Sequence, residues 1–183
     1  MAMGKGFYPT EEKERKIVRS LYDWMGTLVV ALCVFVLLFA FAVRVITVDG
    51  SSMLPTLEDG DRLLLSVTDT HYTRGDIVVV DRYTDEPLIK RVIAVGGDTV
   101  SIDADGRVFI NGKYVYENYI QGETILRDFS GEVKVPQGYL FIMGDNRTIS
   151  KDSRSAEIGL VSVKDVVGKA VFCVWPLQSL GKI

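Results

Sequence analysis

Residues 25–43 form a run of nineteen without a charge, and no other stretch of this 183-residue chain limits its folding so strongly. As a helix rising 1.5 Å per residue, the run spans roughly 28 Å, about the hydrocarbon thickness of a bilayer. It has no polar face, so it does not read as a helix of a soluble core. Lys5, Lys13, Arg15, Lys16 and Arg19 precede it; Arg44 follows, and the next basic residue is Arg62. Basic residues collect on the cytoplasmic side, which predicts a cytoplasmic segment over 1–24 and places 44–183 outside the membrane. The acidic Glu11, Glu12, Glu14 and Asp23 count little in that rule, and Tyr22 and Trp24 sit where an interfacial anchor would. A cleavable signal peptide is the competing reading, since Ala40-Phe41-Ala42 has the form of a cleavage site. The apolar run is longer than the core of such a peptide, however, and the triplet lies inside it. The expectation is a retained anchor over 25–43, entered through an amphipathic stretch with Ile17, Leu21 and Trp24 on one side.

From Arg44 onward the pattern changes. Short β-branched runs alternate with Gly, Asp and Pro at close spacing, which predicts a mainly β chain: one all-β domain of twisted antiparallel sheets over 44–183. Strands are expected near 44–48, 61–67, 76–82, 88–95, 98–103, 107–110, 114–116, 132–135, 138–143 and 166–175. Asp105-Gly106 and Asn111-Gly112 read as hairpin turns, and Pro136-Gln137-Gly138 as another turn. No helical period of useful length follows the anchor, and there is no internal repeat. Residues 144–157, GDNRTISKDSRSAE, are polar and carry no strand signal. A long polar loop in a compact β domain is more often functional than idle.

Charge and cysteines narrow the chemistry. The segment after Val43 holds 16 basic and 20 acidic residues with no basic stripe, which argues against nucleic acid as a partner. Cys33 lies in the apolar run and Cys173 in a strand-like run, so a disulfide between them is not expected. Two distant cysteines and one histidine offer no metal-ligand spacing, and neither metal nor organic cofactor is implied.

The chemistry then falls on a serine. Ser52 lies in GSSMLPTL, residues 50–57, with eight residues between it and Val43, hence at most roughly 30 Å of extended chain from the anchor. A serine hydroxyl is a weak nucleophile and needs a base. The only histidine, His71, sits in a polar, turn-like stretch and reads as a surface residue. Lysine is the remaining candidate. In PLIKRVIAVGGD, strand alternation puts Leu88 and Lys90 on one face and Ile89 and Arg91 on the other. One of two adjacent basic residues must then face the covered side. A lysine there loses solvation and its pKa falls toward that of a usable base, whereas arginine stays protonated. In GDNRTISKDSR, Asp145, Arg147, Asp152 and Arg154 can form ion pairs that lock a loop. A short hydroxyl, Ser150 or Ser153, can orient a neutral lysine without adding charge.

Taken together and in this order, the anchor, GSSMLPTL, GDRLLL, GDIVVV, KRVIAVGGD and GDNR…S.DSR resemble the bacterial type I signal peptidases, membrane-anchored Ser-Lys proteases that cleave signal peptides from exported proteins. The resemblance covers most of the chain. It implies Ser52 as nucleophile, Lys90 as general base, Ser150 as the lysine's orienting partner, and Asp152 and Arg154 as braces of the loop. It implies shallow pockets for small residues at positions −1 and −3, lined by Ile46, Val48, Met53, Leu57, Leu88 and Ile89. The substrate would be a preprotein whose signal helix is still in the lipid bilayer. The sequence departs from the family pattern in two places: Ala94 stands where glycine is common, and Gly50 where some members have a serine that helps hold the oxyanion. The Ser52 N–H would then carry that role with other main-chain or solvent donors. Soluble self-cleaving repressors use the same pair of residues, but the apolar run and the acidic balance argue against that class. A non-catalytic anchored β domain, with Ser52 and Lys90 as unrelated surface residues, is the alternative from outside enzymology. A Ser-His hydrolase is weaker still, because His71 lacks an acidic orienter.

Overall fold

The computed structural model describes residues 11–81, 83–84 and 86–183. The helix α1 (Glu11–Ala42) carries the apolar run as far as Ala42. Within it, Arg15–Leu37 is long and apolar enough to cross a membrane, and none of its most apolar window is buried against protein. Its large side chains are exposed all round, Leu28, Leu32, Phe35 and Leu37 each by more than half. The helix ends at Ala42 and Val43 opens the first strand, one residue earlier than the sequence reading placed the change. The chain divides there into two units, the second running from Ala42 to Ile183.

That second unit is β throughout apart from two short 3-10 turns, as the strand pattern predicts. Its strands are β1 (Val43–Thr47), β2 (Arg62–Ser66), β3 (Ile77–Val80), β4 (Leu88–Val95), β5 (Thr99–Ile102), β6 (Val108–Ile110), β7 (Lys113–Tyr114), β8 (Glu132–Lys134), β9 (Tyr139–Met143), β10 (Val161–Ser162), β11 (Val166–Trp175) and β12 (Gly181–Lys182). Two of these, β10 and β12, are two-residue pairs that carry no period of their own, and the sequence reading passed over both.

An antiparallel sheet orders its strands β1-β2-β11-β3-β4-β9-β10, with β12 added to β11; a smaller sheet orders them β7-β6-β5-β8. The long β11 makes this possible: Val166–Ala170 pairs with β3, Lys169–Trp175 with β2, and bulges within both pairings bend it. The bend raises the local twist and curls the sheet. The two hairpin turns form where the sequence places them. Asn111 and Gly112 both adopt positive φ, +54° and +73°, as a tight two-residue turn between twisted strands requires.

Alternation decides the two faces. Ile77, Val79 and Ile89 pack with Val48, Met53, Leu57, Leu63 and Leu65 on one face; Val78, Val80 and Val92 pack with Leu140 and Ile142 on the other. A third cluster, built on Val100, Val108, Phe129 and Phe141, joins the small sheet to the end of β4. Strand β9 begins to pair with β4 only at Arg91, opposite Met143. Leu88, Ile89 and Lys90 therefore have a β3 neighbour on one side, and their other edge borders a cleft.

Candidate active site

Ser52 is held by a turn that the core fastens at both ends. Val48 donates its N–H to the Asp61 carbonyl at 2.7 Å, and the Gly50 N–H donates to Asp59 Oδ1 at 2.8 Å. Met53 and Leu57, 1% and 2% exposed, plug the following turn into the core. Ser52 thus stands on a short rigid segment, half-buried between two anchored flanks.

Lys90 comes from β4, opposite Val78 on β3. Only 3% of it is exposed. Its Nζ lies 2.8 Å from Ser52 Oγ and donates to the Ile89 carbonyl, also at 2.8 Å. Burial lowers its pKa from 10.5 to about 8, against the upward pull of Asp152 and Asp145. At neutral pH a usable fraction of this amine is therefore unprotonated, within reach of a hydroxyl. Its neighbour Arg91 turns to the opposite face, as alternation requires, yet its side chain is also mostly buried, at 11% exposed.

The wall behind the pair is the polar stretch that follows β9. Three arginines there meet three carboxylates out of water. Arg91 grips Asp145 through two bonds, at 2.8 and 2.6 Å, lies 4.2 Å over the Tyr119 ring, and also donates to the Gly75 carbonyl. Arg147 grips Glu117 at 2.7 and 2.6 Å, and Arg154 grips Asp152 with both bonds at 2.8 Å. Burial pushes the Asp152 carboxyl up, but the Arg154 fork and the Gly144 N–H outweigh it and hold the group below its usual range. Bidentate forks of this kind are what make buried charge tolerable. The stretch is stitched to the serine directly: the Asn146 N–H donates to the Ser52 carbonyl at 3.0 Å, and its Nδ2 to the Ser51 carbonyl at 3.1 Å. Gly144 lets the two segments touch. A Cβ there would lie 2.2 Å from Ser150 Oγ and 2.5 Å from the Ser52 carbonyl oxygen.

A cleft of about 600 Å³ opens on Ser52 and Lys90. Of the residues the sequence assigns to the pockets, Ile46, Val48, Met53, Leu88 and Ile89 line it. Leu57 does not; it is core, and borders a separate cavity with Arg91 and Cys173. Asp152 and Arg154 pair with each other. Asp145 and Arg147 also form ion pairs, but with Arg91 and Glu117. Ser150 departs from its expected part: its Oγ is fully buried, makes no hydrogen bond to Lys90, and has no partner at hydrogen-bonding geometry. Its hydroxyl lies near enough to Asp152 to favour that carboxylate. The lysine is oriented instead by the Ile89 carbonyl. His71 is exposed and borders a different cavity. Cys33 and Cys173 are both free thiols.

Thr56, Glu117, Tyr119, Thr124 and Asn146 escaped the sequence reading. Thr56 donates to Asp145 at 2.5 Å, and Arg147 reaches Thr124 Oγ1 at 3.2 Å. Glu117 and Tyr119 lie in a segment with no strand period, and only long-range contacts bring them in. Asn146 has a local signal, the turn-prone Gly144-Asp145-Asn146, but that signal points to a turn and not to the Ser51 and Ser52 carbonyls.

A buried amine thus lies against a serine hydroxyl at the rim of a curled β sheet, in a chain that also carries an apolar helix, and the comparisons with known proteins say to which family such a chain belongs. Residues 21–175 match the family model described as "Signal peptidase, peptidase S26". The chain belongs to this family and is a peptidase. It is 39% identical to a signal peptidase I of Bacillus licheniformis over 94% of this chain and 98% of that protein. It is 36% identical to signal peptidase I T of Bacillus subtilis (strain 168), over 93% and 94%. A signal peptidase I of Bacillus amyloliquefaciens is 37% identical over 93% and 97%.

Proposed function

We propose that this protein removes signal peptides from exported preproteins, with Ser52 as nucleophile and Lys90 as general base. The observation that carries this reading is the 2.8 Å approach of a buried lysine to a serine hydroxyl inside the cleft. A protonated lysine donates to Oγ across that contact; once neutral, it accepts the serine's proton instead.

The substrate lies in the cleft as an extended segment, with its small side chains at −1 and −3 against Ile46, Val48, Met53, Leu88 and Ile89. Ser52 Oγ attacks the carbonyl carbon, and Lys90 takes the hydroxyl proton. The Ser52 N–H helps hold the oxyanion, a donor of a kind worth about 3 kcal/mol. Lys90 then returns its proton to the leaving amine as the C–N bond breaks. An ester to Ser52 remains. Water attacks it with Lys90 again as base, and the free carboxylate leaves. Asp152 and Arg154 brace the wall behind the lysine. Residues 25–43 anchor the chain in the bilayer, residues 1–24 face the cytoplasm, and the β domain works at the outer face, where the signal helix of the substrate ends.

The test is a serine-reactive warhead on a signal-like peptide. It labels the wild-type protein. Ser52→Ala abolishes both labelling and preprotein cleavage, and Lys90→Ala abolishes cleavage while leaving the β signature in circular dichroism. Cleavage by purified Lys90→Ala at near wild-type rate would end the Ser-Lys assignment.

A further inference from the structure

The cleft has a wall that the subsites above leave unused. Ile149 and Lys151 line it together with Ser52 and Lys90. Burial alternates along this segment: Ser150 and Asp152 are fully buried, whereas Ile149 is 53% exposed and the Lys151 side chain 49%. Lys151 is paired at the rim with Glu157. Ile149 is a large apolar side chain held out of the core.

Its backbone is fixed on both sides. Arg127 donates to the Thr148 carbonyl at 3.2 Å, the Ser150 N–H to the Asn146 carbonyl at 3.0 Å, and Arg154 to the Ser150 carbonyl at 3.4 Å. An apolar group presented from a rigid backbone into a cleft loses little entropy when a ligand covers it.

Its place in the cleft is set against the elements that line it. Leu88 and Ile89 precede Lys90 on β4. The segment carrying Ile149 follows β9, whose Met143 pairs with Arg91, one residue beyond Lys90. It meets Ser52 through the Asn146 N–H, which donates to the serine's carbonyl. The −1 and −3 side chains are assigned above to the Ile46–Leu88 wall, and Ile149, on a third segment lining the same cleft, is a large apolar side chain that they leave free.

Resting on the Ser52–Lys90 reading, we propose that Ile149 contacts the side chain of the first residue of the mature protein, position +1, and helps select the cleavage site toward apolar residues there. The test uses the purified full chain in detergent and a preprotein series with Leu, Gly or Asp at +1. The ratio of kcat/KM for +1 Leu over +1 Gly falls about fivefold to tenfold in Ile149→Ala, the worth of covering half an isoleucine. Ile149→Lys shifts the preference toward +1 Asp. A ratio unchanged within about twofold, or a larger change at −1 or −3 than at +1, overturns the proposal. Ser52→Ala is run beside it. If that variant still cleaves, the dyad reading has failed and this inference with it; if it is dead while the +1 ratio holds, only the role of Ile149 is wrong.

Discussion

Two strips of this protein are largely buried, and they are so by opposite means. Ile77–Val80 of β3 is four aliphatic residues, each 2% exposed or less. Asp145–Ser155 buries Asp145, Asn146, Arg147, Ser150, Asp152, Ser153, Arg154 and Ser155. The aliphatic strip is held by area removed from water, which is non-directional and tolerates a change of shape. The polar strip is held only if each charge meets its partner, because an unpaired buried charge costs several kcal/mol. The first kind of burial makes a sheet. The second fixes positions to a fraction of an ångström, and it is the second that abuts Ser52 and Lys90. Lys90 belongs to neither: it is buried with no carboxylate partner among the described residues, and that burial lowers its pKa.

The contrast can be broken at its strongest point. Arg154→Ala leaves Asp152 buried and unpaired, and urea unfolding of the isolated variant is expected to show a loss of about 3–5 kcal/mol. Lys90→Met comes next, with the opposite sign. The unfolded chain binds the lysine proton up to 10.5, the folded one only to about 8. Between those values the unfolded state holds more protons, so wild-type stability rises with pH; below the lower value the full cost of the buried charge is present. Met avoids that cost, and the variant is expected to be about 3 kcal/mol more stable at pH 7, with no cleavage. The gap should close as the pH approaches the upper value, read by denaturation at a series of pH values.

The same titration governs rate. Because the base must be neutral, kcat/KM is expected to fall about tenfold per pH unit below 8 and to level off above it, so that pH 6 is about a hundredfold slower. A flat profile between pH 6 and 9 would remove Lys90 as the base. The smallest effect sharpens the other half of the comparison: Ile142→Val, in the aliphatic core, should cost only about 1 kcal/mol and leave cleavage unaffected.

Much of the architecture is carried by local patterns. The apolar run, β-branched alternation and Gly or Asn-Gly turns are interactions between near neighbours, so the helix, the hairpins and most strands can be read from the chain, β4 and β11 to the residue. The two-residue β10 and β12 cannot, because only their partners define them. The choice of Lys90 as the group that meets Ser52 is legible for a related reason: two adjacent basic residues on a strand must diverge, and here lysine is the one that reaches the serine.

What only the tertiary structure decided is how the charges pair and where the hydroxyls point. Sequence places Asp145, Arg147, Asp152 and Arg154 in one loop, but it cannot know that Glu117 comes to Arg147, that Arg91 reaches Asp145 and stacks on Tyr119, or that Ser150 Oγ makes no hydrogen bond to the lysine. Nor can it separate Leu57 as core from Ile149 at the cleft, since both are aliphatic residues beside a motif. Local propensity acts over a few residues along the chain. Burial, partner choice and the desolvation that lowers the Lys90 pKa arise only when segments distant in sequence close around the same few ångströms.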